Sequence, residues 1–334
     1  MSTSSAKHIA IVGATGAVGV EMLQCLEQRG FPVASLKLLA SARSKGKAMS
    51  FFNEAVTVEE LTPESFEGVD IALFSAGSKI SKAFAPHAVE AGAVVVDNSS
   101  AFRMDEGVPL VVPEVNGEDA KTNNGIIANP NCTTIVTLMG LNPLHKAWGA
   151  QKVIASSYQA VSGSGMAGIM ELENQVKAIA TGEMPEYAVY SHQIAFNVIA
   201  EIGGVTSNGY TTEEMKMQNE GRKILHQPSL QASVTCVRVP VYRSHSVSVT
   251  VQFESKPDVD EARALIEKAP GVGLLDDREV GRFPTPLDTT EKDDCLVGRI
   301  REDLVFENGL SFWVVGDQVR KGAALNAVQI AELL

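Results

Sequence analysis

Residues 8 to 19 constrain this chain most strongly. His8 to Val12 reads as a buried strand, Gly13-Ala14-Thr15-Gly16-Ala17-Val18-Gly19 as a glycine turn, and Glu21 to Arg29 carries helical spacing. Strand, glycine turn and helix form the context a dinucleotide-binding unit requires. Glycines let the backbone approach a pyrophosphate, and the helix N-terminus turns unpaired N–H groups toward it. The glycines are spaced GxxGxxG instead of GxGxxG, so the turn does not decide the matter by itself. Further α/β units follow: a strand at Asp70 to Phe74, a helix from about Ile80 to Ala91 and a strand at Ala93 to Val96. Ser75-Ala76-Gly77 and Asn98-Ser99-Ser100 fall just beyond strand C-terminal ends, where ligands of open parallel sheets bind. Arg103 stands near the same edge and, taken alone, reads as a solvent-exposed cation.

The strand Ser35 to Leu39 ends where an NAD-selective site places an acidic residue for the ribose 2′-hydroxyl. This chain has Ser41-Ala42-Arg43-Ser44-Lys45 there, two cations and two hydroxyls, a set that suits a 2′-phosphate and favours NADP. The same residues also fit a solvated basic turn.

Asn129-Pro130-Asn131-Cys132-Thr133-Thr134 follows the apolar run Gly125 to Ala128 and precedes a mainly apolar segment ending near His145. Asn and Pro are turn and helix-start residues. A thiol in the first turn of a helix faces the positive end of the macrodipole, which favours thiolate. Cys132 is therefore a candidate nucleophile. The competing reading is a small apolar side chain filling a strand–helix junction.

From Val153 the pattern changes. Lys152 to Val161 is a strand-like run ending in Ser162-Gly163-Ser164-Gly165, and Gln159 alternates with apolar neighbours. Thr211 with Glu214 fits a capping box, while Glu213 and Lys216 share a helix face and fit an intrahelical ion pair. Val234 to Val241 and Val247 to Phe253 read as paired strands, with Arg238 and His245 flanking their connection. A helix near Val259 to Lys268 and strands at Leu296 to Ile300 and Leu310 to Val315 suggest a mixed sheet of α+β character. Arg320 to Leu334 is a strong helix former.

A chain of 334 residues is long for one core and suggests two domains. The net charge of -12 argues against nucleic acid as a partner. The four cysteines are scattered, with no CxxC pair, so neither a disulfide framework nor a metal site is indicated. The start, Met1 to Lys7, is polar and runs straight into the first strand, and no apolar run approaches the length of a membrane span. The expectation is a cytoplasmic protein.

With these stretches in place, the chain closely resembles the aspartate-semialdehyde dehydrogenases over nearly its whole length. The matching stretches are Gly13 to Gly19, Ser75-Ala76-Gly77, Asp97 to Arg103, Asn129 to Thr134, Gln159 to Gly163, Glu213 to Lys216, Arg238 with His245, and Arg320 to Asn326. The resemblance implies an α/β fold with an N-terminal Rossmann-type NADP-binding domain, residues 1–131 and 319–334, and an α+β catalytic and dimerisation domain with a mixed sheet, residues 132–318. It implies a homodimer and the NADPH-dependent reductive dephosphorylation of L-aspartyl 4-phosphate to L-aspartate 4-semialdehyde and phosphate, on the route to lysine, threonine and methionine.

By the same resemblance Cys132 is the nucleophile, His245 the acid/base and Gln159 the amide that orients a thioacyl intermediate. Arg238 grips the substrate carboxylate and Glu213 meets its amino group; Arg103, Asn131 and Lys216 form the phosphate pocket. Cofactor contacts are expected from Gly13, Ala14, Thr15, Gly16, Ala17, Val18, Ser41, Arg43, Ser44, Ser75, Ala76, Gly77, Ser162, Gly163 and Gln318. The family usually has Asn where this chain has Gln318, and Gly221 stands in a helix where a better helix former is expected. Two other readings compete: N-acetyl-glutamyl-phosphate reductase, for whose acylated substrate an acidic Glu213 would be wasted, and a non-catalytic relative lacking the nucleophile or histidine.

Overall fold

The computed structural model describes residues 6–334; most of the polar start read above lies outside the described residues. The chain divides into two units, Met1–Asn131 with Ala323–Leu334, and Cys132–Gly322.

The first unit is a seven-stranded sheet in the order β3-β4-β2-β1-β5-β6-β7. Its strands are β1 (Lys7–Val12), β2 (Val33–Ala40), β3 (Ala48–Phe51), β4 (Glu54–Glu60), β5 (Ile71–Phe74), β6 (Val94–Asp97) and β7 (Ile126–Ala128). All neighbours pair in parallel except β3 with β4. Helices α1 (Ala17–Gln28) and α2 (Ser78–Glu90) form crossovers, and α3 (Pro113–Asn116) is a single turn. β1 is apolar at successive positions because both its faces are covered. Ile9 and Ile11 join the core that holds Met22 and Leu26, whereas Ala10 and Val12 join the one that holds Phe74 and Ala85. The β3–β4 hairpin was not legible in the sequence. Its turn is Phe52-Asn53, both with positive φ (47° and 63°), so it lacks the Asn-Gly signal of such turns.

The second unit is a six-stranded mixed sheet in the order β11-β12-β13-β10-β8-β9. Its strands are β8 (Ala150–Gln159), β9 (Gln231–Arg238), β10 (His245–Phe253), β11 (Val272–Leu274), β12 (Cys295–Glu302) and β13 (Gly309–Gly316). Helices α4 (Cys132–Trp148), α5 (Gly165–Thr181), α6 (Thr212–Ile224), α7 (Val259–Lys268) and the short α8 (Pro286–Thr289) accompany it. One expectation is corrected here. β9 and β10 are not paired with each other; β8 lies between them, parallel to β9 and antiparallel to β10. The Val239–Ser244 connection is long enough to cross two strand spacings, about 10 Å, over the end of β8. α4 is buried nearly all round, and Gly140 brings it close to the sheet, since a Cβ there would sit 3.1 Å from Phe312. Gly221 leaves α6 unbroken and gives room to Leu230, whose Cδ2 would be 3.3 Å from an added Cβ.

The chain closes with α9 (Leu325–Ala331), whose Leu325, Val328 and Ile330 enter the core of the first unit. The return to that unit begins at Ala323 and not at Val319. Val319 to Gly322 stay with the second unit because Asp317 holds them: its side chain accepts from the N–H groups of Val319 and Arg320, and its carbonyl from that of Gly322.

Candidate active site

In the first unit, β1 lies between β2 and β5, so the crevice beyond the strand ends opens where the strand order reverses. Gly13 has φ +85°, and a Cβ there would lie 3.0 Å from Ser75 Oγ. A Cβ on Gly19 would lie 2.3 Å from the Gly13 carbonyl oxygen, which fixes glycine where α1 meets the turn. Ala14 is buried, Gly16 caps α1, and Ala17 and Val18 open it, leaving first-turn N–H groups directed out of the turn. Ser41 and Arg43 are exposed on the turn after β2; Ser44 is buried and accepts a 3.3 Å hydrogen bond from Thr15 Oγ1. The basic turn and the glycine turn are therefore neighbours. Ala76 is partly buried and Gly77, with φ +85°, caps α2.

Arg103 corrects an expectation: it is 7% exposed, not a solvated cation. Its Nε donates to the Asn129 carbonyl and its Nη2 to the Asn98 carbonyl, both at 2.9 Å. Asn129 Nδ2 donates to Asn98 Oδ1, and Asn326 Nδ2 to Asn129 Oδ1, so the turn leading to Asn131 is built from asparagine amides. Asn131, also buried, is the last residue of the first unit before the return.

The second unit gathers the remaining candidates around one strand end. Cys132 is the first residue of α4 and the only partly exposed cysteine; Cys25, Cys236 and Cys295 are buried. Gln159 and Arg238 are register partners on β8 and β9, and His245 lies one step beyond the Ser246–Tyr158 pair. Gln159, Arg238 and His245 thus form a row across three adjacent strands.

Each side chain in this row is held. Gln159 Nε2 donates to Ser157 Oγ at 3.2 Å. Arg238 Nη1 donates to the Ala160 carbonyl at 2.6 Å, and its guanidinium lies 5.9 Å from the centre of the Tyr190 ring. His245 is fully buried, and its Nδ1 accepts from the Ala160 N–H at 3.1 Å. Nδ1 therefore keeps its lone pair, and the neutral ring carries its proton on Nε2. Nε2 has no hydrogen-bond partner among the described residues. Burial, followed by the Arg238 cation, pushes His245 well below its ordinary range, so the ring is neutral at pH 7.

Gly163 closes over this row. A Cβ there would lie 2.8 Å from Arg238 Nη1 and 3.4 Å from His245 Cε1. Gly163→Ala should lower kcat/KM by about 10- to 100-fold through displaced Arg238 and cost about 1–3 kcal/mol in overpacking. Steady-state kinetics beside a denaturant melt check both; parental kinetics would contradict the geometry.

Gly322 does the same for Cys132, since a Cβ on it would lie 2.9 Å from Cys132 Cβ. Gln318, on the same turn, is 3% exposed; its amide donates to Ser162 Oγ and accepts from the Ser244 N–H. On α6 the capping box is formed, and Glu213 and Lys216 pair at 2.7 Å. Glu214 also accepts from the Cys236 N–H. Burial first, then the Glu213 and Glu214 carboxylates and the Cys132 sulfur, push the Cys236 thiol up to about 12, against the hydrogen bond with Ser157.

Sequence reading missed Ser157, Tyr190 and Ser244. Ser157 shares the inward face of β8 with Gln159, a period-two signal present in the sequence; Tyr190 and Ser244 carry no local signal. Among the described residues no helix is long and apolar enough to cross a membrane, and no group of three or more His, Cys, Asp or Glu could hold a metal ion.

Residues 8–123 match the family model for the semialdehyde dehydrogenase NAD binding domain, and residues 141–321 the model for its dimerisation domain. Aspartate-semialdehyde dehydrogenase of Bacillus subtilis (strain 168) is 52% identical over 335 residues, covering 98% of this chain and 97% of the relative. Its namesake from Aquifex aeolicus (strain VF5) is 52% identical over 331 residues, with the same coverage. The crystal structure of aspartate semialdehyde dehydrogenase II from Vibrio cholerae complexed with ASA superposes with a TM-score of 0.96 at 47% identity, covering 99% of this chain and 98% of that one.

Proposed function

The chain belongs to the aspartate-semialdehyde dehydrogenase family, and we propose that it catalyses the NADPH-dependent reductive dephosphorylation of L-aspartyl 4-phosphate through a thioester on Cys132. The observation that carries this reading is the row Gln159, Arg238 and His245 at one strand end, in the same unit as a partly exposed cysteine at a helix start.

Cys132 Sγ attacks the acyl carbon, the bond from that carbon to the phosphate oxygen breaks, and phosphate leaves with the electron pair. NADPH supplies the hydride that reduces the thioester. Gln159 and the His245 Nε2–H stabilise the oxyanion that develops on the acyl oxygen. Its collapse releases the aldehyde and returns the electron pair to Cys132. Arg238 is fixed by Ala160 and Tyr190, which leaves guanidinium N–H groups for a carboxylate fork. Glu213 takes the substrate ammonium, and Arg103, Asn131 and Lys216 each take a phosphate contact.

The nucleotide fits the first unit, because the Gly13 turn approaches Ser75 too closely for any side chain and Arg43 lies exposed beside it. Gly13 to Val18 would hold the pyrophosphate, Ser41, Arg43 and Ser44 the 2′-phosphate, and Ser75 to Gly77 the strand-end contacts; Ser162, Gly163 and Gln318 complete the set. We also read the protein as a cytoplasmic homodimer pairing through the second sheet's open face, where Ile154 and Tyr158 are exposed.

The test is phosphate-dependent oxidation of aspartate semialdehyde and of N-acetyl-glutamate semialdehyde, each with NADP and NAD. Activity confined to the acetylated aldehyde would sink the assignment. Arg43→Ala should lower kcat/KM for NADP by about 10-fold, the scale of one lost charge-assisted contact, and leave that for NAD unchanged; a parent that prefers NAD would refute the basic-turn reading.

A further inference from the structure

Residues 182–211, between α5 and α6, form no helix or strand, yet much of the stretch is fixed in place. A run of that length without elements of its own is uncommon in a compact domain unless it has a task. Two side chains of α5, Glu171 and Gln175, hold it. They stand four residues apart on one helix face and are 9% and 1% exposed. The Glu171 carboxylate accepts from the N–H groups of Ala188, Val189 and Tyr190 at 2.8, 2.6 and 3.3 Å. The Gln175 carbonyl accepts from those of Ile194 and Ala195, both at 2.9 Å, and its Nε2 donates to the Glu186 carbonyl at 3.1 Å. A buried carboxylate is costly unless hydrogen bonds of this kind meet it. Residues 186–195 are therefore laid along α5 as a strap.

The strap reaches Arg238 and holds it twice. Ile199 exchanges both backbone hydrogen bonds with Arg238, at 2.8 and 3.0 Å, which fixes the end of β9. Tyr190 meets the guanidinium, its ring centre 5.9 Å away. The far end of that ring is fastened as well: its hydroxyl donates to the Val161 carbonyl at 3.1 Å, and a Cβ on Gly168 would lie 2.5 Å from the hydroxyl oxygen. Burial raises Tyr190 above its ordinary range, against the Ser164 hydrogen bond and the Arg238 cation, so the phenol keeps the proton it donates. Val161 follows Ala160, whose carbonyl accepts from Arg238 Nη1, so ring and carbonyl fix the guanidinium from adjoining points. Ile194, Ala195 and Ile199 pack with Val161 and Leu172 into a small core, with Tyr190 against it, which keeps strap, ring and turn together.

We infer that residues 186–199 are a strap that positions Arg238 for the substrate carboxylate, with Tyr190 as the positioning residue. Tyr190 acts through the guanidinium, so its loss is felt in the grip on the carboxylate and not in the chemistry at the aldehyde carbon. The inference rests on the role given to Arg238 under the proposed function.

Tyr190→Leu removes the ring and leaves the backbone bonds of the strap. Its KM for aspartate semialdehyde should rise about 5- to 30-fold, the scale of a lost cation–π contact at a partly desolvated site, with kcat and the KM for phosphate unchanged. Tyr190→Phe keeps the ring and gives up one neutral hydrogen bond, so its KM should stay within about threefold of the parent. Nitrogen-15 spectra of the arginine side chains, recorded without substrate, give a readout free of turnover. The Arg238 Nε signal, identified by its absence in Arg238→Lys, should be displaced by the ring in the parent and in Tyr190→Phe, and should return to the position of free arginine in Tyr190→Leu. A folded Tyr190→Leu with parental KM and an unmoved Arg238 signal would overturn the inference, as would a fall in kcat together with a rise in the KM for phosphate, the pattern of general damage to the unit. A parent inactive on aspartate semialdehyde sinks the functional reading, while the arginine spectra still decide the positioning.

Discussion

Cys132→Ala should lower phosphate-dependent oxidation of aspartate semialdehyde by about 10⁶-fold, the scale seen when an enzyme loses its nucleophile, while NADP still binds with parental affinity. The expectation follows from the environments of the four thiols. Cys25, Cys236 and Cys295 are buried, and Cys236 is pushed up to about 12 by burial and its acidic neighbours, so no other thiol can form the thioester. Cys132 alone is partly exposed, at the first position of a 17-residue helix whose dipole favours the thiolate. Alanine keeps the helix start and its packing against Gly322, so the variant should fold. Turnover and NADP titration on the same preparation separate chemistry from binding. Residual turnover above about 1%, far more than loss of a nucleophile allows, would return the protein to a non-catalytic relative on this scaffold.

The sequence carried the parts of this site that depend on local pattern. Strand–glycine turn–helix at residues 8 to 29, the capping box at Thr211 and the helix start at Cys132 each reside in a few consecutive residues, and the structure has all three. Order across the second sheet was not legible. Two apolar runs joined by a short connection look like a hairpin, and nothing in β9 or β10 states that β8 inserts between them. The burial of Arg103 was hidden for a similar reason, because its partners are backbone carbonyls, which no residue type announces. The bonds of Gln318 to residues 162 and 244 were hidden too, because those partners come from parts of the chain remote from it. What sequence conveys here is periodicity and caps. What it omits is which distant backbone groups satisfy a buried polar side chain.

His245→Ala should lower kcat by about 10²- to 10⁴-fold with little change in KM, because the ring acts on the acyl oxygen and not on the groups that bind substrate. The Ala160 N–H occupies Nδ1, so the neutral ring can donate from Nε2 but cannot take the thiol proton there. Under the proposed function its work therefore lies at the oxyanion, where a donor suffices. Burial and the Arg238 cation hold the ring well below its ordinary range, so the parent's activity should stay level as pH falls through 6.5 and drop only at the lower folded value. Stability follows the same sign. Below pH 6.5 the unfolded chain binds a proton that the folded chain refuses, so the contribution of this ring is complete above 6.5 and is lost as pH falls from there through the folded value. His245→Ala should lack that loss, giving a flatter melting-temperature profile between pH 7 and 5 than the parent. A parental acid limb at or above pH 6.5 would show that the ring is charged on folding and would move His245 from hydrogen-bond donor to general acid. The imidazole in this site is neutral because it is buried beside the Arg238 cation, and under the proposed function, in which Arg238 grips the substrate carboxylate, the same arrangement selects the kind of catalysis His245 performs.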